Sequence, residues 1–403
     1  MNEIPIKIAG YSHTFSLAIS FKLDQVYDKV LKLPDCGIFL GYSFLKTIED
    51  CPPDGLRPVY AVLSDQHQHV IGFYYFQIKY FRASQSVRFG EDDDIFCKLH
   101  ARLKSLVVNL VEFNTLVCGN LLLSGPYGVI NCFEYEKHKG LIYQHVIEEM
   151  QGWLRAKDID TNVILVKDFF RQEHILDEST FHKFEIQPNM MVKHHDSWTC
   201  FDDYMNELHS KYRVRARRAI KAATPIVRKE LTTAETYQLN DTIFELYKCT
   251  STHADFNLID LHKDYFYQLK KNLGDQCHFY TYSVDGRIIA FYTIIEDGME
   301  AEAHFLGINE DENKKYQIYL NILFDILRVS ITLGKSATRF SRTALEIKSS
   351  VGAVPHSLTC YIKHRKVINN TFVPYLLDFL NQKKDWVQRH PFKESEPEIV
   401  DHI

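Results

Sequence analysis

Two stretches of this chain carry nearly the same text. The first is YAVLSDQHQHVIGFYYFQI, residues 60–78, and the second is HFYTYSVDGRIIAFYTIIE, residues 278–296. Each is a β-rich run, a polar turn and a second β-rich run, and the second runs align as VIGFYYF over IIAFYTI. Asp285-Gly286 is a strong hairpin signal. The elements after each hairpin repeat as well. After the first come a strand, LVCGNLLLSG, a Gly-rich loop, and a helix over 138–156 with Ile142, Val146, Met150 and Trp153 on one stripe. After the second come a strand, MEAEAHFLGI, a polar loop, and a helix over 314–333. Both helices then lead into a strand, NVILVKDF or ATRFS. The order hairpin–strand–loop–helix–strand therefore occurs twice, which makes this chain a duplicated α/β unit. The copies span 1–195 and 196–365, and 366–403 reads as a short helix with a polar tail, disordered beyond about residue 392. The first copy carries an inserted helix over 94–112, with Leu99, Leu103, Leu106, Val107 and Leu110 on one side.

Composition limits the function. The chain has 403 residues, a formal charge of −5 and 45% hydrophobic residues, enough for two cores. The net charge argues against a dedicated nucleic-acid coat. Nine cysteines without a C-x-x-C pair read as reduced thiols. No stretch has signal-peptide or membrane-spanning length, so a cytoplasmic protein is expected, with the inner face of the membrane as an alternative location. The histidines lack zinc spacing, and neither a nucleophile-elbow motif nor a Walker loop is present.

The layout resembles the GNAT N-acyltransferase superfamily, and two such units in tandem resemble the Fem-type peptidoglycan aminoacyltransferases. The stretches that carry the likeness are LVCGNLLLSGPYG, QPNMMVKHHDSWTCFDDYMNELHSKYRVRARRAIKAA, AHFLGINED and FSRTALEIKSSVGA. The resemblance implies an α/β fold of two tandem GNAT-like units, each a mixed, mostly antiparallel sheet flanked by helices. It implies N-acyl transfer in the second unit, with acyl-CoA as co-substrate and no permanently bound cofactor. One departure stands out. GNAT enzymes hold the coenzyme A pyrophosphate on a Gly-rich loop at a helix N-terminus, where exposed N–H groups and the helix dipole favour an anion. Here the corresponding stretch is NEDENKKYQIYLN, with no glycine pair; Lys314 and Lys315 offer charge instead, and Tyr319 lies beside them. Fem-type enzymes, which take an aminoacyl group from tRNA, also lack a strict form of this loop, but the coiled-coil arm they often carry has no heptads here.

Candidate residues follow from the chemistry. Acyl transfer to an amine needs a base for the ammonium proton. On the strand around 298–309, Glu300, Glu302 and His304 project to one face; Glu302 and His304 are the candidate bases, against the alternative of a solvated face of an edge strand. Tyr316 could return a proton to the leaving group, against an alternative core role. Arg342, Glu346 and Lys348 suit a substrate carboxylate or phosphate. Gly119, Gly125 and Gly128 mark a tight turn or a close backbone approach. Asp168 sits where a strand stops, as a functional carboxylate or an exposed loop acid.

SKYRVRARRAIKAA, residues 210–223, puts Tyr212, Ala216, Ala219 and Ile220 on one helical face and six cations on the rest. Arg213 and Arg217 are the candidate anion contacts there. The expected partner is a small or lipid-linked amine. The alternatives are a tRNA, on a Fem-like transferase acting on a cell-wall or lipid precursor, and a peripheral membrane contact made by a non-catalytic binding protein on the same fold. DNA is not expected.

Overall fold

The computed structural model describes residues 3–31, 33, 37–82, 112–170, 175–252, 259–366, 369–371, 373 and 386–393. Residues 94–111 of the expected inserted helix and the tail beyond 393 lie outside these, while Glu112, its expected last residue, opens a strand. In chain order the strands are β1 (Glu3–Lys7), β2 (Thr14–Ser20), β3 (Leu56–Ser64), β4 (Val70–Arg82), β5 (Glu112–Cys118), β6 (Val129–Asn131), β7 (Val163–Phe170), β8 (His182–Glu185), β9 (Asn189–Lys193), β10 (Val227–Glu230), β11 (Cys277–Val284), β12 (Arg287–Asp297), β13 (Glu300–Ile308), β14 (Ala337–Arg339), β15 (Val354–His356) and β16 (Leu358–His364). The repeated text forms the hairpins β3–β4 and β11–β12, both antiparallel.

The chain forms two compact units. One gathers Met1–Ile186, Ala254–Tyr265 and Leu358–Gln382; the other gathers Gln187–His253, Phe266–Ser357 and Lys383–Ile403. The first sheet has the order β1-β2-β3-β4-β5-β7-β16-β8, with β6 also on β4; the second has the order β10-β11-β12-β13-β14-β9-β15. Each is antiparallel except for one parallel pair among the described strands, β5 with β7 and β13 with β14. The fold is thus mixed α/β with two like sheets. The last strands are exchanged in sequence. β9, which follows β8 in the chain, pairs with β14 in the second sheet, and β16, which follows β15, pairs with β7 in the first.

In the first unit, the helix Lys139–Arg155 buries Ile142, Tyr143, Val146, Ile147, Met150 and Leu154. They pack in one core with Tyr74, Phe76, Leu116 and Val166 of the sheet. Trp153, the last residue of the expected stripe, sits at the margin against Phe21, with ring centroids 4.8 Å apart.

In the second unit the helix expected over 314–333 is two helices, Glu310–Tyr316 and Ile318–Thr332, broken at Gln317, whose φ is 50°. A left-handed residue cannot continue a right-handed helix. Asn321 closes the break: its side-chain amide donates to the carbonyls of Tyr316 (3.0 Å), Gln317 (3.1 Å) and Ala219 (2.9 Å). The longer helix is buried along most of its length and carries Asp325 inward. That carboxylate accepts from the Tyr282 hydroxyl and Arg328, with Arg228 Nε at 3.5 Å, so the buried charge is partnered.

The segment 386–393 lies against the second unit. Phe392 packs on Trp198 and Tyr204, and its backbone bridges Leu208. A Cβ at Gly352, where φ is +101°, would come 2.4 Å from the Phe392 ring. Gly352→Val is therefore expected to cost about 1–3 kcal/mol, read as a lower Tm in thermal denaturation.

Candidate functional site

The second sheet opens at one place. β13 and β14 pair in parallel only at Glu300–Ala337, Ala301–Thr338 and Glu302–Arg339. Beyond that point β14 turns toward β9, where Phe340 donates its N–H to the Met190 carbonyl and Met190 donates to Ser341. β13 continues alone on that side, so the two strands part at Glu302 and Arg339.

Just past the parting, β13 bulges. Tyr292 pairs with Leu306 and Ile294 with Ala303, so His304 and Phe305 together oppose Thr293. The Thr293 hydroxyl accepts from the Phe305 N–H and donates to the Phe305 carbonyl, both at 3.0 Å, which fixes the bulge. The extra residue turns both Ala303 and Leu306 toward the core that holds Ala301 and the long helix. Phe305 meets Tyr247 and Phe266.

Glu302, at the apex, is fully buried. Ser341 Oγ donates to its Oε1 at 2.9 Å, and Arg339 Nε stands 3.5 Å from Oε2. Arg339 also binds Asp297 (2.6 Å) and Glu300 (2.8 Å), so three carboxylates share one guanidinium. Burial pushes the Glu302 carboxyl up to about 8; Asp297 and Glu300 add to this, while Ser341 and Lys348 oppose it. The solvated edge-strand alternative does not hold: β13 lies between β12 and β14, and Glu302 faces inward. His304 is half-buried, and desolvation lowers its pKa to about 3, so the ring stays neutral.

The loop after β14 is unusual. Ser341, Thr343 and Ala344 have φ of 57°, 68° and 46°, left-handed positions that cost energy for non-glycine residues. Lys348, on the short helix Leu345–Ser349, holds this loop. Its buried Nζ donates to the carbonyls of Arg342 (2.5 Å) and Ser341 (3.4 Å). Burial lowers Lys348 to about 7, and Glu302 pulls the other way. A strained loop thus delivers a hydroxyl to a buried carboxyl, with an easily neutralised lysine beneath it.

The structure brings Glu302, Lys348 and the Arg342 backbone to this one group. Arg339 and Asp297, which lie in no motif, and Ser341, which lies in FSRTALEIKSSVGA without being singled out there, complete it. Arg339 becomes legible only through the parallel register that sets it opposite Glu302. The other candidates lie elsewhere. Glu346 is exposed and pairs with Arg389. Tyr316 is buried in the core with Ala301, and Tyr319 packs against that core. Lys314 and Lys315 occupy the last turn of Glu310–Tyr316; Lys315 Nζ stands 4.6 Å over the Tyr316 ring. Arg213 donates to the carbonyls of Asn206 and Leu208, and Arg217 is exposed. The first turn of Glu310–Tyr316 holds Glu310, Asp311 and Glu312, and the Asn309 side chain already accepts from the Asp311 N–H. Three carboxylates therefore stand where an anion would meet that helix end.

The matching place in the first unit is closed. β5 and β7 pair in parallel up to Cys118–Val166, and then Lys167 and Asp168 turn inward. Lys167 Nζ donates to the carbonyls of Asn120 (2.9 Å) and Leu123 (2.8 Å) and to Asp168, which also accepts from the Gly125 N–H at 3.1 Å. Asp168 is fully buried within β7, with φ 68°, so neither a strand end nor an exposed loop acid describes it. Gly119 and Gly128 make the close backbone approach: a Cβ at Gly128 would meet Gly119 Cα at 2.8 Å. The chain itself fills this parting.

Residues 210–349 match the family model of the GNAT acetyltransferase domain. The chain carries a GNAT domain. The matched stretch contains the basic helix, β10–β14 and the Ser341–Lys348 loop, so the parting at Glu302 lies within the GNAT domain. No curated protein sequence matches the chain. The structure of FemX superposes over 90% of this chain and 100% of its own with a TM-score of 0.53 at 10% identity, which shows the fold. A tandem GNAT protein from the clavulanic acid biosynthesis pathway (TM-score 0.48, 8% identity, 86% of this chain, 98% of that one) and L-PGS from Bacillus licheniformis (0.45, 11%, 84% and 96%) are further neighbours. Among the described residues, no helix is long and apolar enough to cross a membrane.

Proposed function

We propose that the GNAT domain transfers an acyl group from a thioester donor to an amine by direct attack, with Glu302 as the base. The observation that carries this is the buried carboxyl, raised to about 8, at the point where β13 and β14 part. The amine nitrogen attacks the acyl carbon, its proton passes to Glu302 directly or through one water, and the C–S bond breaks to release the thiolate, which takes a proton from water. A base with a pKa near the working pH suits this step. Acyl-CoA is the first donor reading. A second reading, an aminoacyl ester on tRNA, stands beside it because Glu310 and Asp311 in that first turn, with Glu312 paired to Arg287, count against a nucleotide pyrophosphate at that helix end.

The test is transfer to a panel of amines from acyl-CoAs of graded chain length and, in parallel, from charged tRNA. Turnover with acyl-CoA alone selects the first donor, and turnover with charged tRNA alone selects the second. No transfer from either, with wild-type behaviour of Glu302→Gln in cells, leaves a non-catalytic protein on this fold.

A further inference from the structure

The basic helix Ser210–Ala222 plays no part in the site at Glu302. Its inward side is ordinary: Ala216 and Ala219 are buried, and Tyr212 and Ile220 pack against the same core. Its outward side is not. Lys211, Arg215, Arg217, Arg218 and Lys221 are all exposed, and none has an acidic partner among the described residues. Lys211 Nζ rests 5.9 Å from the centre of the Tyr212 ring. Arg213 is the one cation of the helix turned to internal use. Five unneutralised charges on a helix about 20 Å long repel one another.

The middle of this charged arc is apolar. Val214 is 51% exposed. Lys211 lies three residues before it, Arg217 three after and Arg218 four after, so three cations surround it on the helix surface.

We propose that this face docks on an anionic phospholipid surface, the cations against headgroup phosphates and Val214 toward the acyl boundary. Charge complementarity selects an anionic partner, and four to eight clustered Lys/Arg on an amphipathic helix suit such a surface. Val214 then selects lipid over nucleic acid, because a phosphate backbone gains nothing from an exposed valine at the centre of the contact. The outward arc also offers no aromatic platform for bases, since Tyr212 is turned to the core. The apolar stripe of the helix is used inside the protein, so the attachment is electrostatic and reversible.

The test uses the full chain and flotation with vesicles of phosphatidylcholine alone or with about 30% phosphatidylglycerol. Binding is expected only to the anionic vesicles, and to be lost in high salt. Each cation removed is expected to weaken partition about fivefold, so Arg217→Ser with Arg218→Ser lowers it about 25-fold. Lys211→Ser with Lys221→Ser is an independent pair with the same expected effect, and Val214→Trp is expected to strengthen binding. All these positions are exposed, and unchanged melting of each variant confirms the fold. Equal partition on neutral vesicles overturns the proposal, as does wild-type binding by both double variants. Tighter binding of an RNA oligonucleotide through the same arginines, with Val214→Trp inert on vesicles, also overturns it and assigns the face to nucleic acid. Vesicle binding is read without acyl transfer, so the result is independent of the role of Glu302.

Discussion

Glu302→Gln is expected to lower kcat by about 10²–10⁴ while leaving the protein folded. The amide keeps the shape and can still accept from Ser341 Oγ, as the carboxyl does at 2.9 Å. It cannot take a proton from the attacking amine. In the wild type, a base raised to about 8 must be ionised to act, so kcat rises with pH and levels off above about 8. The residual rate of the variant should lack that rise. Stability moves the opposite way. The folded-state pKa is raised above the unfolded value, so the folded state holds the proton more tightly, and this contribution is lost as pH climbs from about 4.5 to about 8. The variant has no such loss, and its Tm advantage over wild type should widen across that window. A variant with kcat within a factor of ten of wild type would remove Glu302 from the chemistry.

Lys167→Ala is expected to destabilise the first unit by about 3–5 kcal/mol. The substitution strips the ammonium from a fully buried Asp168 and leaves the carbonyls of Asn120 and Leu123 without their donor. An uncompensated buried charge is the costly element. Lys167→Met with Asp168→Asn removes both charges together, and asparagine tolerates the φ of 68° at that position. The double variant should therefore recover most of the loss in urea unfolding. If it is no better than the single variant, the ion pair is not what holds the segment 119–125 in place.

Local periodicity makes the hairpins, the helix stripes and the strand bearing Glu302 legible, because alternation and a period of 3.6 residues are written in neighbouring residues. The break at Gln317 is not legible, since it depends on Asn321 reaching back to Ala219 on another helix. Arg213 reads as an anion contact because its use depends on a turn that brings the carbonyls of Asn206 and Leu208 within reach. Lys348 stands out in the sequence for its charge, but its clamp on the Ser341–Arg342 backbone requires the left-handed loop. Asp168 is found as a residue and misplaced in depth: it reads as a strand-end or loop acid, because its burial depends on Lys167 reaching the distant carbonyls of Asn120 and Leu123. Strand pairing over long separations is the least accessible. Nothing in the text of β9 or β16 says which sheet receives it.

That exchange of strands sets an order of events during synthesis. The first sheet needs β16, residues 358–364, between β7 and β8, so most of the chain must leave the ribosome before that sheet can close. The second sheet has all its strands once β15, residues 354–356, has emerged. The sheet begun first is therefore the last to receive a strand, and until then the β7 edge stays unpaired.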